Sequence, residues 1–100
     1  TNIVVFRPLP GSRVAAGTPL AGSARAFEAN VLYRVRDDAG RIVARERAVT
    51  AAEGAPAFGA FSAPLVFDAS PETPAGAIQV YTRSAMDGSI RDLVEVPVLF

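Results

Sequence analysis

Asp37 and Asp38 stand side by side ahead of Ala39-Gly40, and adjacent carboxylates are the first place to look for metal binding or acid–base work. A calcium site needs several oxygen ligands at ordered spacing. Two acids followed by Ala-Gly do not supply them, and the pattern reads as turn chemistry in which Asp bonds its own backbone. Asp87-Gly88-Ser89 reads the same way, as a hairpin turn with a polar flank. A nucleophile at Ser23, Ser62, Ser84 or Ser89 needs a base, and the chain has no His and no Lys. With no Cys there is no thiol, no zinc cluster and no disulfide. Paired carboxylates for glycoside hydrolysis need a cleft between them, and no two acids are spaced to suggest one. The stretch from Gly54 to Gly59 is not a phosphate cradle, because no Lys follows and no helix opens after it. The expectation is a protein without catalytic, cofactor-binding or metal-ligating residues, and not an enzyme.

What remains is surface. Arg34, Arg36, Tyr81 and Arg83 fall on one outer sheet face if the strand carrying Tyr81 lies beside the one carrying Arg34. Arg and Tyr are common anchors of binding surfaces; the plainer reading is a solvated face with one amphipathic aromatic. Leu32, Leu93 and Leu99 also land on positions that strict alternation leaves outside. Sheets apolar on both sides point to a covered contact with a neighbouring domain, a protein partner or a second copy. A homodimer built by edge pairing of the first or last strand is one form of that contact. The rival is a carbohydrate-binding module, which would stack sugars on Tyr81, Phe6 or Phe58, though the chain has no Trp. Glu28, at a corner between strands, is expected to accept loop N–H groups or to pair with an Arg.

Ten Arg balance ten acids, for a net charge of zero. That argues against nucleic acid, whose binding needs a basic excess to release counterions. The exclusive use of Arg fits GC-rich coding, and fits equally a surface made for bidentate anion contacts. No apolar run approaches the ~18–20 residues that span a bilayer, so the domain is not expected to insert in a membrane. Of its 50 hydrophobic residues 19 are Ala, leaving 31 larger apolar side chains, enough for one core. The chain opens at Thr1 and enters a strand at once, so residues 1–100 are expected to form a single domain cut from a longer chain.

The elements follow from turn residues recurring every ten residues or so. Strands are expected at Asn2–Phe6, Leu20–Phe27, Ala29–Asp37, Arg41–Ala51, Ala60–Asp68, Gly76–Met86 and Ser89–Phe100, with a short connecting strand near Arg13–Ala15. Small inward residues at Leu20, Gly22, Ala24 and Ala26 suggest close sheet approach or filling by aromatics of the facing sheet. Val31, Tyr33 and Val35 alternate with Leu32, Arg34 and Arg36, one face dry and one wet. If Val43 faces inward, Arg45 and Arg47 share its face; a bulge between Val43 and Val49 repairs this. Pro64 lacks a donor and must face an edge or a bulge, and Pro97, late in its strand, fits an unpaired position. The expected core is Val5, Leu20, Val31, Tyr33, Val35, Phe61, Leu65, Phe67, Ile78, Val80, Val94, Val96 and Val98. The fold class that the spacing supports is an all-β antiparallel β-sandwich.

Several groups of residues carry a family resemblance. They are Gly22-Ser-Ala24-Arg-Ala-Phe27-Glu28, the hairpin Val35 to Val43, and the Gly-rich loop Gly54 to Gly59 leading into Phe61. Val80-Tyr81-Thr-Arg-Ser84-Ala-Met-Asp87-Gly88-Ser89 and the closing Val96-Pro97-Val98 complete the set. In this order the sequence resembles the immunoglobulin-like domain of bacterial spore germination, a module also found in other bacterial cell-envelope proteins. The resemblance implies an all-β, immunoglobulin-like antiparallel β-sandwich of seven or eight strands, extracytoplasmic and non-catalytic, often attached to other envelope domains or to a lipid-anchored chain, with turn glycines, core aromatics and a corner Glu as its recurrent residues. It does not imply that the source organism sporulates. The expected function is a structural or protein-interaction module of a cell-envelope or spore-germination-related protein.

Overall fold

The structure, a computed structural model, describes residues 2–25, 30–52 and 57–100. Seven strands run through them: β1 (Ile3–Arg7), β2 (Pro19–Ala24), β3 (Asn30–Asp37), β4 (Ile42–Thr50), β5 (Gly59–Pro64), β6 (Ala75–Arg83) and β7 (Ile90–Leu99). They make two antiparallel sheets, β1-β2-β5 and β4-β3-β6-β7. The chain crosses between sheets after β2, β4 and β5, and no helix occurs among the described residues. This is the all-β sandwich that the turn spacing predicts, in the immunoglobulin-like form that the family resemblance implies.

Period-two alternation decides which side chains meet. In β3, Val31, Tyr33 and Val35 are buried while Leu32, Arg34 and Arg36 are half-buried on the far face. Leu20, Phe61, Leu65, Ile78, Val80, Val96 and Val98 join the same interior, with Val5, Phe67 and Val94 packed at its margin. Ile3, Val14, Ala24, Val43, Ala44, Val49 and Ala51 belong to it as well. The Tyr33 hydroxyl leaves the core to accept the Val66 N–H at 3.2 Å.

The bulge in β4 is present. Tyr33 faces Arg47 but Val35 faces Ala44, so β4 carries an extra residue between them, and a second irregularity follows before Ile42. It lets Val43 and Ala44 both be buried while Arg45 and Glu46 turn outward.

The small residues of β2 work differently from the expectation. An added Cβ on Gly22 would lie 2.7 Å from the Phe61 ring and 2.1 Å from the Val4 carbonyl oxygen. Phe61 is the direct register partner of Gly22 in the same sheet. The aromatic that fills the gap therefore comes from the neighbouring strand, not from the facing sheet.

Boundaries shift where proline or turn chemistry intervenes. β5 stops at Pro64, short of Asp68, and its neighbour Leu65 bonds back to Gly17 and Thr18. The missing Pro64 donor thus falls on the free edge of β5. β6 ends at Arg83 rather than Met86, and Gly88 takes a left-handed φ of 73° in the following turn. The segment near Arg13 makes a single bridge to Leu99 instead of a strand, and its backbone covers the outer edge of β7, where Gly11 N–H donates to Pro97. The expected end of β2 at Phe27, the start of β3 at Ala29, the role of Glu28 and the loop over Gly54 lie outside the described residues.

Candidate functional site

β3 and β6 are neighbours, with Leu32 facing Tyr81, Arg34 facing Gln79 and Arg36 facing Ala77. Arg34, Tyr81 and Arg83 therefore share the outer face of the four-stranded sheet. Tyr81 is not an exposed anchor there: its relative exposure is 0%. The Arg34 guanidinium lies 5.2 Å from the ring centroid and that of Arg83 lies 5.6 Å from it. Both are cation–π distances. The phenol spans β3 and donates to Glu46 Oε1 on β4 at 2.6 Å. Arg83 Nε donates to the same oxygen at 2.9 Å, and its Nη1 to the Gly88 carbonyl at 2.7 Å.

The array continues across the sheet. Arg34 Nε donates to Gln79 Oε1, and Gln79 Nε2 donates to Glu95 on β7 at 2.8 Å. Side chains from all four strands are thus linked in one row. Arg36 stands apart from it, and its buried Nε finds no partner among the described residues. Alternation names the face on which Tyr81 lies but not its depth; long arginine stems from two positions cover it. Glu46, Gln79 and Glu95 are members that sequence reasoning missed. Glu46 sits in the bulged stretch of β4, where a period-two reading loses its face, and the other two are legible only once the register is known.

Burial, then the Glu46 carboxylate, push the Tyr81 phenol up to about 12. The hydrogen bond from that phenol, then the one from Arg83, hold Glu46 below its ordinary value. A phenol that keeps its proton and a carboxylate that keeps its charge make a static pair, not an acid–base couple at neutral pH.

The other displaced carboxylates are also committed to the fold. Asp37, 4% exposed, accepts backbone N–H groups from Ala39 at 3.0 Å, Arg41 at 2.9 Å and Glu72 at 2.8 Å. The Glu72 N–H is the main cause of its lowered pKa. This is the turn chemistry expected of the Asp37–Gly40 hairpin, extended to a second loop. Asp68 takes two Arg47 nitrogens at 2.7 Å and the Arg45 N–H at 2.8 Å, which clamps the bulge of β4. Its pKa is held far below the usual carboxylate range, first by Arg47. Among the described residues no cluster of three acidic side chains could hold a metal ion.

No curated protein matches the chain. Among the described residues no helix is long and apolar enough to cross a membrane. The family model of the immunoglobulin-like domain of bacterial spore germination matches residues 2–89, from β1 through the turn that precedes β7. That family suggests a non-catalytic module and a cell-envelope context. The sandwich topology and this match together place the chain: it belongs to the family of the immunoglobulin-like domain of bacterial spore germination.

Proposed function

We propose that this domain is an extracytoplasmic, non-catalytic module that positions its neighbours or holds a protein partner in a cell-envelope protein. The observation that carries the reading is the ordered row from Glu95 through Gln79, Arg34, Tyr81 and Arg83 to Glu46. Side chains already held in one geometry lose little freedom on association. Arg and Tyr are residue types on which binding energy concentrates. The same row disfavours sugar stacking at Tyr81, because guanidinium groups already cover the ring.

Photo-crosslinkers placed at Arg36 and at its register partner Ala77 of the parent protein, in its own envelope, test this. The expected result is a discrete adduct with one envelope protein or a neighbouring domain, weakened by Arg34→Glu. Glycan-array binding by the domain, with no such adduct, would overturn the proposal in favour of a carbohydrate-binding role.

A further inference from the structure

A polar cleft of about 350 Å³ opens where the start of β1 and the end of β2 meet the β6–β7 hairpin. Three of the ten arginines line it, Arg25, Arg83 and Arg91, against one lining acid, Asp92. Arg83 is paired with Glu46, and Asp87 lies near Arg91, so the positive charge that the cleft itself offers is that of Arg25 and Arg91.

The cleft is pre-ordered by Asn2. Its Oδ1 accepts from Arg25 Nε at 3.1 Å and Nη2 at 2.8 Å, and its Nδ2 donates to Asp92 Oδ1 at 3.2 Å. The Arg25 guanidinium also rests 5.2 Å from the Phe58 ring centroid. Asp92 occupies a bulge of β7 opposite Val80–Thr82, with a left-handed φ of 57°. Bulges of this kind re-aim a side chain, and here Asp92 turns toward Asn2. Arg83 is committed to Glu46 and Gly88. Arg25 Nη1 and the Arg91 guanidinium make no hydrogen bond among the described residues.

From this geometry we infer that the cleft seats an acidic side chain of a partner protein. Its carboxylate lies between Arg25 and Arg91, and a neighbouring peptide N–H donates to Asp92. Guanidinium forks match carboxylate geometry. Asp92 favours a peptide carboxylate over a phosphate dianion: both meet its like charge, but the carboxylate brings one charge instead of two, and the peptide adds an N–H for Asp92 to accept. The inference rests on the reading of the domain as a protein-interaction module, and names a second surface and the chemistry it takes.

Backbone amide NMR of the domain, titrated at low salt with a short Glu-rich peptide, its Gln-substituted counterpart and inorganic phosphate, tests it. The Glu peptide is expected to shift the signals of Thr82, Arg91 and Asp92, and the Gln counterpart to leave them in place. Arg25→Gln and Arg91→Gln should each weaken binding about tenfold, and added salt should weaken it too. Arg45→Gln, on exposed β4, should change nothing. Equal binding of the Gln peptide, shifts with phosphate alone, or full affinity in both cleft variants would overturn the inference. Those outcomes leave the module reading intact, since the crosslinks on the sheet face decide it separately.

Discussion

The Tyr81 hydroxyl on β6 donates to Glu46 on β4 at 2.6 Å, passing over the whole width of β3. Burial first, and then the Glu46 carboxylate, keep the proton on this phenol against the pull of the two guanidinium groups: its pKa rises from 10.0 to about 12. The folded state then binds a proton that the unfolded chain has lost between those values. Stability from this group is complete below pH 10.0 and drains away as pH climbs toward about 12. Ultraviolet titration should show Tyr81 ionising only with alkaline unfolding. Tyr81→Phe should remove that part of the alkaline loss.

At the acid end the sign reverses. Asp37, Asp68 and Glu46 are all held below their ordinary values of 3.8, 3.8 and 4.5 in the folded protein. Their contribution is present above those values and is lost as pH falls through the depressed ones. Urea midpoints should stay level from neutral pH down to about 4.5 and then fall. Asp37→Asn and Asp68→Asn should each lower the neutral plateau and flatten the acid decline.

Two glycines are required by close approach rather than by turn geometry. A Cβ on Gly76 would lie 2.2 Å from the Arg36 carbonyl oxygen and 2.6 Å from the Phe100 ring, and Gly22 is as tightly enclosed. Gly22→Ala and Gly76→Ala should each cost about 1–3 kcal/mol through overpacking. Thermal melts should register this as a drop of about 4–8 °C per kcal/mol.

The Asp68 clamp makes a local forecast. Asp68→Ala removes the acceptor of the Arg45 N–H and both partners of Arg47. Hydrogen exchange at the Arg45 amide should quicken about tenfold or more, while β6 amides keep their protection. Uniform acceleration across both sheets would instead mean that the bulge depends on global stability alone.

How far the sequence spoke can be judged residue by residue. Alternation in Val31 to Arg36 revealed both faces of β3, and the conflict among Val43, Arg45 and Arg47 revealed the bulge. Turn residues located Gly40, whose φ is 85°. The omissions share a cause. Ala44, Ala51 and Val14 are small or lie outside regular alternation, so burial there depends on what packs over them. Tyr81 was legible as outward-facing, but its cover comes from Arg34 on another strand and Arg83 further along its own. The cleft beside Asp92 joins residues about 90 positions apart, and no local pattern announces it.

A double-mutant cycle on Tyr81→Phe and Glu46→Gln, read by urea unfolding, bears most directly on the claim that polar groups on this face are ordered as one unit. Coupling of about 1 kcal/mol between the two sites is the predicted result. Strict additivity, with each substitution costing the same whether or not the other is present, would contradict it.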